Sequence, residues 1–101
     1  MTAKVARHAI EGELTIYTAA ALRQQLLEWL AEAERLEIDL SRVSEADTAG
    51  IQLLVAAKHE AGRRNRELLL TGHARPVVDL MDLFDLGSFF GDQMVIVSRT
   101  L

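Results

Sequence analysis

Cysteine is absent from this sequence, which excludes disulfides, thiolate zinc sites and thiol nucleophiles at once and fits a reducing compartment. Proline occurs once, at Pro76, and no Pro/Gly/Ser-rich stretch, repeat or low-complexity run offers a linker. A single domain over residues 1–101 is therefore expected, with half of the side chains apolar and enough of them to bury one core. No run approaches the roughly 18 apolar residues needed to span a bilayer, and Met1 to His8 lacks the apolar segment of a secretory signal. The expectation is a cytoplasmic protein with no direct membrane insertion. Basic charge is also in short supply, with 11 basic against 15 acidic residues, which argues against nucleic acid as a partner.

What is present alternates between strand and helix patterns. Val5 to Ile10 reads as a strand, Glu11-Gly12-Glu13 as a turn, and Leu14, Ile16 and Tyr17 as a short second strand. Thr18 suits the N-cap of a first helix that runs to about Ala33, with Leu22, Leu26, Trp29, Leu30 and Ala33 on its core side. Leu36, Ile38 and Leu40 alternate with Glu37 and Asp39 as a half-buried strand. After a connection from Ser41 to Ala46, a second helix spans Thr48 to about Gly62, its expected stop, with Ile51, Leu54, Val55 and Ala61 on one face. Leu68-Leu69-Leu70 is a strand-length apolar run. A third helix is predicted from Pro76 to Gly87 and a last strand from Gln93 to Ser98. The order β-β-α-β-α-β-α-β is that of an α/β domain.

The side chains of catalysis and metal binding are sparse. Only His8, His59 and His73 could serve as histidine bases, and none sits in a motif that supplies a nucleophile and an orienting acid. No paired-histidine helix, calcium loop or phosphate-cradling glycine loop occurs, so no metal and no cofactor is expected. Asp79, Asp82 and Asp85 recur every three residues, a spacing that a solvated helix face explains. Opposite them the apolar face from Val77 to Phe84, with Phe89 and Phe90, is broad enough to serve the core and a partner. Arg63-Arg64-Asn65-Arg66 falls where a helix ends and suits the negative pole of its dipole. The chain is expected not to be an enzyme.

One segment stands out. In Val43-Ser44-Glu45-Ala46-Asp47-Thr48-Ala49-Gly50-Ile51-Gln52-Leu53-Leu54, Asp47 is placed at a helix N-cap and Thr48 at the first helical position, its hydroxyl accessible between small neighbours. Local physics alone reads this as a capped helix. Taken with Glu11-Gly12-Glu13-Leu14-Thr15-Ile16-Tyr17-Thr18-Ala19, Leu36-Glu37-Ile38-Asp39-Leu40-Ser41 and Leu86-Gly87-Ser88-Phe89-Phe90, however, it resembles the STAS domain of bacterial anti-sigma factor antagonists over nearly the whole chain.

The resemblance implies a STAS-like fold, a four- to five-stranded mixed sheet with helices packed mainly on one side. It implies that Thr48 is a phosphorylation site, modified by a partner serine/threonine kinase that is also the anti-sigma factor and restored by a phosphatase. Partner-binding residues are then expected at Glu13, Ser44, Asp47, Thr48, Ala49, Gly50, Gln52 and Leu53, with peripheral packing the other role open to Leu53. Switching members of the family resemble Asp-Ser-Ser-Gly or Asp-Ser-Thr-Gly here. Asp-Thr-Ala-Gly is more similar to the cytosolic STAS subunit of a phospholipid-transporting ABC complex, which grips the transporter ATPase without switching. That role, and a chemotaxis-linked module, stand as alternatives. Thr15 departs from the Asp more usual in the family at that position.

Overall fold

A computed structural model describes residues 4–85. Within them β1 (Val5–Ala9), β2 (Gly12–Leu14), α1 (Ala19–Glu32), β3 (Arg35–Asp39), β4 (Val43–Ala46), α2 (Thr48–Arg63), β5 (Glu67–Thr71) and α3 (Arg75–Leu83) follow in order. The predicted last strand, the Gly87 stop and Phe89–Phe90 lie outside the described residues.

The strands form two parallel ladders, a sheet of order β1-β3-β5 and a smaller pair β2-β4. Parallel neighbours need crossovers, and the helices supply them, α1 before β3 and α2 between β3 and β5. The register brings Ala6, Leu36 and Leu68 into one row and His8, Ile38 and Leu70 into the next. These rows face the helices, where Leu26 and Leu30 of α1, Ile51 and Leu54 of α2, and Val77 and Met81 of α3 close the core.

The opposite rows of the sheet carry charge. Glu37 bridges Arg7 (3.0 Å) and Arg35 (3.3 Å), and Arg35 reaches Glu67 (3.4 Å). Opposite charges at neighbouring strand positions support the ladder on this half-buried face. The described helices therefore pack on one face of the sheet.

Several local expectations change. The second strand ends at Leu14, and Ile16 and Tyr17 stand in a turn, 65% and 90% exposed. Thr18 precedes α1, but its hydroxyl turns backwards, donating to the Glu13 carbonyl (3.0 Å) and accepting from the Thr15 N–H (3.1 Å), so it caps the turn rather than the helix. The segment expected as a connection contains β4, whose four residues bury only Val43 and show no alternation. Its strand character comes from pairing with β2, across a register shift between Gly12 and Glu13 that makes room for Ser44.

Helix α2 runs one residue past Gly62. It closes on Asn65, whose φ of 56° supplies the left-handed turn, with Arg66 N–H donating to the Ala61 carbonyl and Asn65 N–H to the Gly62 carbonyl. That paired pattern satisfies two orphan carbonyls without a glycine. Helix α3 stops at Leu83, ahead of Asp85 in the same left-handed region.

Candidate functional site

The start of α2 is built by one carboxylate. Asp47 is extended at the N-cap, and its Oδ1 accepts the Gly50 N–H at 3.0 Å, satisfying a donor that the helix itself leaves open. Its Oδ2 accepts the Ile16 N–H, also at 3.0 Å, from the turn between β2 and α1. The Asp47 N–H donates to the Leu14 carbonyl at 3.2 Å. The Ile16 hydrogen bond first, and the Gly50 one second, hold the Asp47 carboxyl below its usual range. It is an anion at neutral pH, fixed between a helix end and a loop.

Gly50, three residues on, is buried directly against β2. A Cβ there would overlap the Leu14 carbonyl oxygen and sit 2.6 Å from its carbon and 2.7 Å from the Leu14 Cγ. The backbone of α2 thus approaches the backbone of β2 more closely than any side chain permits.

Between these two fixed residues lie Thr48, exposed at the first helical position, and half-buried Ala49. Ile51, Gln52, Val55 and Phe84 join Thr48 around an open, mainly apolar groove of about 280 Å³. On the other side of Asp47 stand the exposed Ile16 and Tyr17. Glu13 is exposed on β2, where its Oε1 accepts the Thr15 hydroxyl at 3.0 Å, and Ser44 is exposed on β4, the strand that pairs with β2.

The structure therefore brings Glu13, Ser44, Asp47, Thr48 and Gln52 to one end of the molecule as accessible residues. Gly50 is there for packing. Of the two roles open to Leu53, the structure favours packing over contact: it is only 9% exposed and sits in the core cluster, lining the cleft between α2 and α1 with Leu26 and Leu30.

Ile16 and Tyr17 were not expected at this surface, and Phe84, part of the face held open for a partner, was not placed beside Thr48. The alternation of Leu14 and Ile16 mimics a strand, whereas the signal that marks the turn is the pair of hydroxyl residues Thr15 and Thr18 bracketing two large apolar side chains. The broad face of α3 divides. Val77, Val78 and Met81 enter the core, and Leu83 and Phe84 remain 73% and 44% exposed.

The histidines do not converge on this end. His8 stacks on Trp29 with ring centroids 4.3 Å apart and meets Glu32, His59 is exposed on α2, and His73 is buried between β5 and α3. Among the described residues, no three carboxylate or histidine side chains gather as a metal site, and no helix is long and apolar enough to cross a membrane. The basic run at the end of α2 is tied down, Arg63 and Arg64 both pairing with Glu60.

Comparison with known proteins places this architecture. The structure superimposes on an anti-sigma factor antagonist from Mycobacterium paratuberculosis with a TM-score of 0.77 at 21% identity, covering 97% of this chain and 92% of that one. The anti-sigma factor antagonist SpoIIAA in its unphosphorylated form matches with a TM-score of 0.70 at 16% identity, over 99% of this chain and 92% of that one. A sulfate transporter family protein from Wolinella succinogenes gives 0.72 at 21% identity, over 86% and 71%. A family model described as "Mlab, STAS domain" matches residues 2–96. The chain accordingly belongs to the STAS domain family and has the α/β fold of the anti-sigma factor antagonists.

Proposed function

We propose that this chain is a non-catalytic regulatory module of the anti-sigma factor antagonist type, switched by phosphorylation of Thr48. The observation that carries the reading is the position of Thr48: an exposed hydroxyl residue at a helix start, beside the Ile16–Tyr17 turn and the groove that reaches Phe84. A partner kinase, itself the anti-sigma factor, transfers the γ-phosphoryl group of a nucleoside triphosphate to the Thr48 hydroxyl oxygen, releasing nucleoside diphosphate and the hydroxyl proton. A phosphatase returns the hydroxyl by hydrolysis. The added group carries between about one and a half and two negative charges and a shell of water. It stands in the middle of a partly apolar contact surface, and desolvating it there opposes binding. The core is left in place, because Thr48 is exposed at the first helical position.

The test is the protein isolated from the cells that make it. Intact mass and fragment mapping are expected to find phosphate on Thr48, and Thr48→Ala to lack it while still binding the kinase. Thr48→Glu is expected to weaken that complex by more than about tenfold, or about 1.4 kcal/mol, with the domain still folded. Equal affinity of Thr48→Glu and wild type would sink the switch.

A second reading has its own support. Ala49 after Thr48, and the family description that matches residues 2–96, favour a fixed subunit that grips the ATPase of a phospholipid-transporting ABC complex. Stable co-purification with such an ATPase, independent of the phosphorylation state of Thr48, is the result that selects it.

A further inference from the structure

The turn after β2 is held by hydrogen bonds of its own and by two hydroxyls that donate to Glu13, Thr18 to its carbonyl (3.0 Å) and Thr15 to its Oε1 (3.0 Å). The Thr15 N–H donates to the Thr18 hydroxyl (3.1 Å), the Thr18 N–H to the Thr15 carbonyl (3.0 Å), and the Tyr17 N–H to the Thr15 hydroxyl (3.3 Å). The Ile16 N–H leaves this network and crosses to Asp47 Oδ2 on the threshold of α2. Two large apolar side chains, Ile16 and Tyr17, ride on the turn largely exposed. The other oxygen of the same carboxylate is committed to the Gly50 N–H.

We infer that Asp47 is a latch through which negative charge on Thr48 repositions the Ile16–Tyr17 turn. The inference rests on Thr48 being the modified residue. A phosphate on Thr48 places a second anion beside the Asp47 carboxylate and offers three acceptor oxygens to the same helix-end donors. Two adjacent anions competing for one set of N–H groups cannot both hold them at full strength. The carboxylate either swings away or takes up a proton. Both weaken its acceptance of the Ile16 N–H, whose bond to a charged acceptor is the stronger kind. The turn keeps its internal hydrogen bonds and shifts as a unit, carrying Tyr17 with it. Modification at Thr48 then alters a contact element that the phosphate itself does not touch.

Residue-resolved amide hydrogen exchange on the full chain tests this. The proteins compared are wild type, a form with phosphothreonine at position 48 introduced during synthesis, Thr48→Glu, and the neutral Thr48→Gln. The Ile16 amide is expected to exchange about tenfold faster in the phosphorylated form, the order expected for losing one hydrogen bond to a charged acceptor. The buried Ile38 amide in β3 should be unchanged, and Thr48→Gln should match wild type. In an Asp47→Asn background the Ile16 amide should already be fast, with Thr48→Glu adding less than about twofold. Identical Ile16 exchange in the wild-type and phosphorylated forms overturns the latch. So does an undiminished effect of Thr48→Glu in the Asp47→Asn background. The readout needs no partner, so it is separable from whether cells ever phosphorylate Thr48.

Discussion

Replacing Gly50 by alanine should unfold this domain more readily, although alanine is the better helix former. In a helix interior the exchange by itself favours alanine by about 1 kcal/mol. Against that stands the Leu14 backbone, with its carbonyl carbon only 2.6 Å from where the new Cβ must go. Carbon atoms sit comfortably at about 3.5–4.0 Å and the overlapped carbonyl oxygen lies nearer still, so α2 must retreat from β2 by more than about 1 Å. The obstacle is main chain, held by the β2-β4 ladder and by the Asp47 N–H on the Leu14 carbonyl, and cannot rotate aside. Overpacking of this kind costs about 3 kcal/mol or more when no side chain can yield. The net loss is then about 2 kcal/mol, which in a domain of this size lowers Tm by roughly 8–16 °C. Gly62→Ala is the matched control. It lies in the same helix with nothing within 4 Å of the new Cβ, and should raise stability by about 0.5–1 kcal/mol. Thermal melts followed by circular dichroism, with urea titration as a check on two-state behaviour, compare the pair directly. A Gly50→Ala protein as stable as wild type would refute the close approach of α2 to β2.

Leu53 and Gln52 are adjacent but should behave oppositely. Leu53→Ala is expected to cost about 2–3 kcal/mol by chemical denaturation, whereas the exposed Gln52→Ala should stay within about 0.5 kcal/mol and act only on partner affinity. Equal, small effects at both positions would return Leu53 to the surface. The depressed pKa of Asp47 has a defined pH signature, because the folded state holds this carboxylate in preference to its acid more strongly than the unfolded chain does. Its stabilisation is fully present above the ordinary value near 3.8 and is lost as pH falls through the lower folded value. Asp39, held low chiefly by the Ser41 N–H, works in the same direction. Melting temperatures from neutral pH to pH 2 should therefore fall below about pH 4 for wild type, with Asp47→Asn starting lower and falling less. Parallel curves would remove Asp47 from the acid response.

The elements legible in the sequence are those whose pattern is their own. Helices α1 and α2 each place apolar residues at helical spacing over 14 and 16 residues, and β3 alternates strictly because one face meets helices and the other an ion ladder. Strand β4 could not be read, since three of its four residues are exposed or half-exposed and only a partner strand distant in sequence defines it. Ile16 and Tyr17 misled for the converse reason. Their apolar side chains suggest burial, but the chain turns before they can reach the core. Within the site, the Asp47 cap was legible because capping is local. The contact between Asp47 and Ile16 spans 31 residues and depends on tertiary placement alone.

That division bears on what the four residues Asp47-Thr48-Ala49-Gly50 are for. Asp47 joins a helix start to a loop, and Gly50 admits a carbonyl where any side chain would collide. Both identities are demanded by the fold itself, at a spacing set by the reach of an N-cap side chain to the third helical N–H. A fold-bound Asp and Gly would mark this turn even in a domain with no partner, so their presence alone says little about function. Thr48 is different. The helix start asks nothing of its side chain, since alanine or serine would serve the first turn as well, and Thr48 is exposed beside a groove and an apolar turn. A site in which the flanking residues carry the architecture leaves the residue between them open to modification or contact without loss of the fold. Function at this surface is therefore to be sought in Thr48 and in the exposed Ile16 and Tyr17, where substitutions should change affinity while leaving the domain folded.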